Sequence, residues 1–334
     1  MQHRTLAGGQ LSLSVLGFGA GPLGGLYAPI PESVANETVA AALDLGITYF
    51  DTAPLYGHGL SEHRVGTGLR GRRDGVAIST KVGRMMIPVG SQGQEPDMFA
   101  EMLPFNVRYD YSYDAVLRSF EDSLQRLGTD RVDILYIHDV NRRWHGDAVE
   151  DRFREVMAGG YRALSRLRDE GRIKAIGVGM NDSAMLARFA EAGDFDLFML
   201  AGRYTLLDQS ALDELFPVCA RRGVSVVAAG PFNSGILATG AAKGAKFFYQ
   251  DAPAEILDRT RRIEAVCDDH GVPLATAALQ FALLHPIVVS VATGMVGADE
   301  VRKNAAGMTA AIPAGLWRDL RAAGLLHPDT PLSE

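Results

Sequence analysis

Short apolar segments alternate with longer amphipathic segments along most of the chain. Each apolar segment is four to six residues long, as expected for a strand that is buried on both faces. The predicted strands are 16–20, 47–50, 76–80, 132–137, 173–178, 196–200, 224–228 and 287–291. The predicted helices are 32–45, 62–69, 113–127, 153–169, 183–192, 209–221, 254–269, 274–284 and 298–306. This alternation predicts an α/β fold with a parallel sheet.

Eight strand-helix repeats predict a closed (β/α)8 TIM barrel, with residues 1–334 forming a single domain. Residues 5–16, with Gly8-Gly9 as their turn, predict an N-terminal β-hairpin that caps one end of the barrel. Two long connections, 82–112 and 139–151, are expected to extend from the rim as walls of a substrate site. A doubly wound sheet is the alternative, but Pro22 stands where the third glycine of a dinucleotide-binding fingerprint belongs.

The composition narrows the class of protein. The 334 residues are 47% hydrophobic and 22% charged, and the net charge of -7 argues against nonspecific binding to nucleic acid. No apolar run approaches the roughly 18 to 20 residues that span a bilayer, and the N-terminus lacks the apolar core of a signal peptide. Cys219 and Cys267 lie in predicted helices and are expected to be reduced core thiols. We therefore expect a soluble, cytoplasmic protein without nucleic-acid or membrane partners.

Four polar side chains stand at or just beyond the carboxyl ends of predicted strands. Asp51 ends the second strand, Lys81 follows the third and His138 follows the fourth, while Tyr56 lies on the loop after Asp51. The carboxyl ends of barrel strands share one rim, and active sites lie there. The structural alternative is that Asp51 caps its loop and Tyr56 is a half-buried aromatic residue. Because three strands contribute such groups, we favour an active site.

These side chains suit proton transfer at a carbon-bound oxygen. A free phenol has a pKa near ~10, and a neighbouring ammonium would lower the pKa of Tyr56. Asp51 would hold Lys81 in place and charged, while a neutral His138 would orient a carbonyl or alcohol oxygen. No serine or cysteine elbow and no metal-ligand spacing competes in the sequence. Proton transfer of this kind pairs most simply with hydride transfer from a nicotinamide.

Four motifs make the chain similar to the aldo-keto reductase family over nearly its full length. They are Phe50-Asp51-Thr52-Ala53-Pro54-Leu55-Tyr56-Gly57, Ser79-Thr80-Lys81, Ile134-Leu135-Tyr136-Ile137-His138 and the segment 171–179. The resemblance implies that Tyr56 is the general acid/base, that Lys81 and Asp51 tune it, and that His138 orients the reacting oxygen. It also implies a nicotinamide cofactor extended across the barrel mouth, without a Rossmann domain.

The resemblance further implies cofactor contacts, although several family positions are changed. Asn181 would bind the carboxamide, whereas the family's usual glutamine and stacking tyrosine fall on Ala201 and Ala229. Residues 231–237 would cover the pyrophosphate; an ordinary turn is the alternative. The implied cofactor-binding residues are Gly19, Asp51, Asn181, Pro231, Phe232, Ser234, Gly235, Leu237, Gly294, Met295, Glu300 and Asn304.

The choice between NAD and NADP depends on the segment after the eighth strand. Family members that prefer NADP carry a basic or serine-containing patch and an arginine, where this chain has Met295 and Glu300. An acid there would repel a 2'-phosphate and accept a hydrogen bond from a ribose hydroxyl. NAD is therefore the expected cofactor and NADP the alternative, with Arg302 and Lys303 opposing the preference.

Residues 109–114, 138–140 and 230–237 are similar to a branch of bacterial sugar dehydrogenases acting on L-fucose, D-arabinose or related aldoses. The resemblance implies oxidation of the anomeric hydroxyl to a lactone. The branch also includes pyridoxal 4-dehydrogenases, and this activity or that of a general aldehyde reductase is the alternative. The expected substrate contacts are Tyr27, Tyr56, Arg84, His138, Trp144 and His145. For the rim residues among them, packing or plain exposure is the alternative. Asp139 is expected to support its neighbours rather than to react.

Two further expectations come from the family. Some relatives of this fold are noncatalytic subunits that sense the nicotinamide cofactor, so a complete set of catalytic residues does not establish turnover. The family also implies a monomer or a small homo-oligomer.

Overall fold

The structure is a computed structural model that describes residues 1–90 and 93–332. Its strands are β1 (His3–Thr5), β2 (Ser12–Ser14), β3 (Leu16–Gly19), β4 (Tyr49–Asp51), β5 (Ala77–Val82), β6 (Arg84–Pro88), β7 (Phe105–Tyr109), β8 (Ile134–His138), β9 (Ala175–Met180), β10 (Leu197–Ala201), β11 (Ser225–Ala229), β12 (Lys246–Phe247), β13 (Gln250–Asp251) and β14 (Val288–Gly294). Its α-helices are α1 (Glu32–Asp44), α2 (Leu60–Gly68), α3 (Tyr113–Leu127), α4 (Arg142–His145), α5 (Val149–Glu155), α6 (Tyr161–Asp169), α7 (Ser183–Ala192), α8 (Leu215–Arg222), α9 (Ile236–Thr239), α10 (Ala254–Asp269), α11 (Leu274–Phe281), α12 (Ala298–Thr309) and α13 (Ala314–Ala322).

Eight parallel strands close into a barrel in the order β3, β4, β5, β8, β9, β10, β11 and β14. Their residues are almost all buried because the interior lies on one face and the surrounding helices on the other. The closure of β14 against β3 confirms the predicted (β/α)8 barrel and excludes the doubly wound sheet.

The predicted N-terminal hairpin is present. Strands β1 and β2 pair antiparallel, with His3 opposite Ser14, and Gly9 adopts the positive φ of 76° that their turn requires. Leu6, Leu11 and Leu13 are buried against residues of the barrel interior. The hairpin thus closes the amino end of the barrel, opposite the rim where function was expected.

The two long connections contain more regular structure than the sequence indicated. Strands β6 and β7 form an antiparallel hairpin inside the first connection, and α4 and part of α5 occupy the second. The predicted helix 153–169 is divided by a π-helical turn at Val156–Gly160. A Cβ on Gly159 would lie 2.8 Å from the backbone nitrogen of Tyr113, so this turn passes too close to α3 for a larger residue. Helix α13 was not predicted.

Cys219 and Cys267 are buried free thiols, as expected, and burial raises the pKa of each to about 12. Neither is therefore a reactive thiolate. Across residues 1–90 and 93–332, no helix combines the length and apolar character needed to cross a bilayer.

Candidate active site

The alternation of side chains along the strands aligns the polar residues inside the barrel. Tyr49 and Asp51 are alternate residues of β4, Ser79 and Lys81 of β5, and Tyr136 and His138 of β8, so each pair points to the interior. The first member of each pair lies deeper in the barrel, and these three residues share hydrogen bonds. The Tyr49 hydroxyl lies 3.0 Å from that of Ser79 and 3.2 Å from that of Tyr136. The second members, Asp51, Lys81 and His138, lie at the carboxyl rim.

A buried ion pair lies at the centre of this rim. Lys81 Nζ donates to Asp51 Oδ2 at 2.6 Å and to the Thr52 carbonyl at 2.9 Å, while the Ser79 hydroxyl donates to Asp51 Oδ1 at 2.6 Å. Both charged side chains are at most 4% exposed. Buried charges are tolerated when they are paired and hydrogen-bonded, and this pair satisfies both conditions.

Tyr56 lies above the ion pair. Lys81 Nζ is 4.9 Å from the centre of the Tyr56 ring, and the His138 ring meets Tyr56 edge-on with the ring centres 6.0 Å apart. The loop that carries Tyr56 is held by His58, whose ring hydrogen-bonds the Phe105 carbonyl and Asp97 of the long first connection. The structure therefore brings together all four residues that the sequence predicted to be catalytic.

The protonation of Tyr56 differs from the expectation. Burial raises the pKa of Tyr56 well above its usual value, and the Asp51 carboxylate raises it further. The positive charge of Arg84 acts in the opposite direction, but it is outweighed by these effects. Burial also holds the pKa of His138 well below its ordinary value, with Arg84 and Lys81 adding to the effect. At neutral pH the phenol therefore keeps its proton and the imidazole is neutral.

A cavity of about 410 Å³ opens over these side chains. All four line it, and its wall is mainly apolar and aromatic, including Leu26, Leu55, Met98, Phe99 and Trp144. A mostly apolar pocket with a few convergent polar groups is typical of a small-molecule site. A second, more open depression of about 700 Å³ adjoins it and shares Arg143 and Asn181.

The structure places the predicted cofactor residues in two groups. Those that line the cavity, besides Asp51, are Gly19, Asn181, Phe232, Ser234, Gly235 and Gly294. Ala201 and Ala229 line it as well, so the space of the larger family side chains is open. Those whose side chains do not line it are Pro231, Leu237, Met295, Glu300 and Asn304. Met295 is fully buried in the core, and Glu300 accepts a hydrogen bond from the Val296 N–H at 2.8 Å.

Several features of the cavity fit a nicotinamide cofactor. Asn233 Oδ1 is buried without a hydrogen-bond partner among the described residues. Asn233, Ser234 and Gly235 have consecutive positive φ values of 45°, 63° and 103°, which curl the backbone into the kind of loop that cradles phosphate. Asn181 receives a hydrogen bond at 3.3 Å from the buried Asn141, which orients its amide at the cavity edge. Residues 232–235 and Asn181 would therefore hold the cofactor.

The predicted substrate contacts also fall into two groups, those that line the cavity and those that do not. Tyr27 and Trp144 line the cavity, whereas Arg84 and His145 do not. Arg84 lies on β6 rather than in a loop and is buried, with its guanidinium 4.4 Å from the Trp144 ring centre. His145 lies behind the cavity, where its Nε2 is 3.0 Å from the Tyr111 hydroxyl.

The sequence did not identify several residues that line the cavity. Asp139, Phe99 and Tyr249 are the main ones. Tyr249 lies between β12 and β13 with a φ of 66° and reaches the mouth from a distant part of the chain. Asp139 follows His138 directly, so its position beside a predicted catalytic residue was the available signal. Phe99 lies in the connection 82–112, which was expected to form a wall of the substrate site, whereas Tyr249 carried no signal because its connection was not singled out.

Comparison with known proteins agrees with this geometry. The model of the Aldo/keto reductase family matches residues 15–323. The chain is 42% identical to the pyridoxal 4-dehydrogenase of Microbacterium luteolum, covering 97% of this chain and 98% of that protein. It is 39% identical to a D-threo-aldose 1-dehydrogenase of a Pseudomonas species, covering 95% of each.

The solved structures show the same relationship. The holo form of the aldo-keto reductase AKR11C1 from Bacillus halodurans superposes with a TM-score of 0.77 at 28% identity, over 98% of this chain and 97% of that one. Family match, close relatives and structural likeness agree. The chain belongs to the aldo/keto reductase family and is an oxidoreductase for hydroxyl and carbonyl groups, and nicotinamide cofactors are general in this family.

Proposed function

We propose that the protein oxidises cyclic hemiacetals to lactones, with an L-fucose-like aldose as the principal substrate and pyridoxal as the alternative. The observation that carries this proposal is the position of Tyr56 between the Lys81–Asp51 ion pair and a neutral His138 at the floor of one cavity. These groups suit proton transfer at an oxygen bound to carbon.

In the proposed reaction each side chain has a separate task. His138 donates a hydrogen bond to the anomeric oxygen of the substrate and orients it towards Tyr56. Tyr56 as phenolate takes the hydroxyl proton, and in the reverse direction the Tyr56 phenol returns it to the carbonyl oxygen. Lys81, held by Asp51 at 2.6 Å, stabilises the phenolate when it forms. The nicotinamide, when bound, accepts the hydride from the anomeric carbon.

The names of the two relatives share a chemical feature. An aldose closes to a ring by adding an internal hydroxyl to its aldehyde, and pyridoxal closes in the same way through its neighbouring hydroxymethyl group. In both compounds the carbon to be oxidised is a hemiacetal carbon, and the product is a lactone. The apolar and aromatic wall, with Phe99 and Trp144, suits the flat face of such a ring.

We propose NAD as the preferred cofactor. Glu300 is exposed close to the amino end of α12, where an acid disfavours a 2'-phosphate. Arg302, which opposed this expectation, forms an ion pair with Asp299 on the same helix. Comparing kcat/KM for NAD and NADP tests the proposal, and a strong preference for NADP would overturn it.

An NAD-linked screen at 340 nm with L-fucose, D-arabinose, pyridoxal and simple aldehydes tests the activity. We expect turnover of the hemiacetals, and a loss of roughly 10²- to 10⁴-fold in kcat for Tyr56→Phe, the usual contribution of a general acid/base. Cofactor binding by Tyr56→Phe, followed by fluorescence, should persist. A noncatalytic sensing subunit would bind the cofactor without turnover of any substrate, and reduction of simple aldehydes alone would identify a general aldehyde reductase.

A further inference from the structure

A second charged pair lies beside the proposed catalytic group. Arg84 Nη2 donates to Asp139 Oδ2 at 2.6 Å, and the same oxygen lies 3.4 Å from His138 Nε2. The Arg84 side chain is 2% exposed, and its guanidinium packs between the rings of Trp144 and Tyr109, at 4.4 and 5.2 Å from their centres. This packing fixes the guanidinium and, through it, the carboxylate.

The Asp139 carboxylate faces the substrate space. Asp139 lines the cavity, its side chain is 16% exposed, and its backbone takes the left-handed φ of 52°, which is uncommon for a residue with a Cβ. Oδ2 is occupied by Arg84, and Oδ1 accepts no hydrogen bond from the residues 1–90 and 93–332, but it is not fully buried and so remains accessible. The cavity thus contains one carboxylate oxygen that a ligand is able to use.

A substrate that enters the cavity displaces water from this oxygen, and a carboxylate oxygen that loses its water without gaining another donor is costly. No described residue donates to this oxygen: Arg84 is engaged on the other oxygen, and Arg143, which lines the cavity and acts on Asp139 through its charge, makes no hydrogen bond to it. A hydroxyl on the substrate would satisfy it. The reacting oxygen itself is assigned to His138 and Tyr56, so the donor has to be a second hydroxyl close to the reacting carbon.

We propose that Asp139 accepts a hydrogen bond from a second hydroxyl of the substrate and thereby selects hydroxylated hemiacetals over analogues that lack this group. The inference rests on the proposed function and adds to it the feature of the substrate that is recognised. The 2-hydroxyl of an aldose and the phenolic hydroxyl of pyridoxal are the donors in the two candidate classes. Arg84 acts as a positioning residue because it holds Oδ2 and turns Oδ1 to the cavity.

Substrate analogues test the proposal on the unaltered enzyme. Hydrogen bonds to a charged partner discriminate by roughly 10- to 150-fold. We therefore expect kcat/KM for an accepted aldose to exceed that for its 2-deoxy analogue by about this factor, and kcat/KM for pyridoxal to exceed that for its 3-deoxy analogue similarly. Equal efficiency for each pair, within about threefold, would overturn the inference while leaving hemiacetal oxidation intact. No turnover of any hemiacetal would instead overturn the proposed function.

The variant Asp139→Asn assigns the selectivity to this residue. Since Arg84 requires an oxygen, the asparagine amide would turn its nitrogen to the cavity and remove the acceptor. We expect the ratio of kcat/KM between hydroxylated and deoxy substrate to fall to near one. Asp147→Asn is the matched control, because Asp147 is an exposed acid of the same connection and does not line the cavity. It should keep the ratio of the unaltered enzyme.

The single variant leaves Arg84 buried without its carboxylate, so a second variant guards against misfolding. Arg84→Met/Asp139→Leu replaces the ion pair by apolar side chains, a change that proteins often tolerate. Circular dichroism and thermal unfolding establish that each variant is folded. A folded variant of either kind that still discriminates more than tenfold would show that Asp139 is not the recognising group.

Discussion

The two ends of the barrel bury different kinds of side chain. At the amino end, Leu6, Leu11 and Leu13 of the hairpin cover the interior, and the polar atoms beneath are the neutral hydroxyls of Tyr49 and Tyr136; one buried carboxylate, Asp133 before β8, is paired with Arg73 beside this end. At the carboxyl end the buried groups include two ion pairs, Lys81–Asp51 and Arg84–Asp139.

This difference has an energetic meaning. Apolar burial stabilises the fold directly, whereas the desolvation of a buried ion pair can exceed its Coulombic gain. The amino end therefore contributes stability, and the carboxyl end keeps charges that serve the proposed reaction. Variants at the two ends should accordingly separate stability from activity.

The largest effect is expected from Lys81→Met. It leaves the Asp51 carboxylate buried without its partner, which should lower the free energy of unfolding by about 3–5 kcal/mol and abolish most activity. Urea denaturation measures the first change and the NAD-linked assay the second. In the control Asp51→Asn/Lys81→Met, stability should largely return while activity does not. Recovery of activity in this control would contradict the role proposed for the ion pair.

Leu13→Ala should affect stability alone. Leu13 is fully buried under the barrel, and its truncation should lower the free energy of unfolding by about 2–5 kcal/mol through lost contacts and a cavity. The value of kcat/KM, measured well below the unfolding transition, should stay within about threefold of the unaltered enzyme. A loss of activity as large as that of Lys81→Met would remove the distinction between the two ends.

The pH dependence sharpens the comparison at the carboxyl end. Because the pKa of Tyr56 is raised, the phenolate fraction should grow up to tenfold per pH unit through the neutral range, and oxidation should accelerate accordingly. Reduction needs the protonated phenol and should change little over the same range. No inflection is expected near pH ~6.5, since the pKa of His138 is well below that value.

Profiles of kcat/KM against pH in both directions measure this behaviour. Leu13→Ala should keep the shape of both profiles, because its change lies at the other end of the barrel. A plateau of the oxidation rate that begins at neutral pH would show that the pKa of Tyr56 is lowered, as the sequence first indicated.

The smallest effect is expected from Tyr49→Phe. The hydroxyl of Tyr49 connects Ser79 to Tyr136 below the ion pair. Its removal should lower the free energy of unfolding by about 1–3 kcal/mol, because a buried partner loses a hydrogen bond. Activity should fall only slightly, since Ser79 still donates to Asp51. Urea denaturation and the NAD-linked assay distinguish this outcome from a loss like that of Lys81→Met.

Agreement between sequence and structure was closest at the strand ends. The ends of the predicted apolar strands marked the carboxyl rim of the barrel. Asp51, Lys81 and His138 stand at those ends, so the parallel arrangement of the strands implied that the three side chains converge. The rim connections were less predictable. Arg84 was expected to face a substrate, but Trp144 and Tyr109 enclose it. Met295 was expected at the cofactor, but its side chain packs in the core.

The sequence alone determined the barrel and the candidate catalytic residues, because continuous apolar strands and the groups that end them are local patterns. Tertiary structure decided the protonation of Tyr56, the burial of Arg84 and the unused oxygen of Asp139. These three features depend on the surrounding dielectric and on partners from distant segments of the chain. The spacing of residues along the sequence gives neither the dielectric nor the partners.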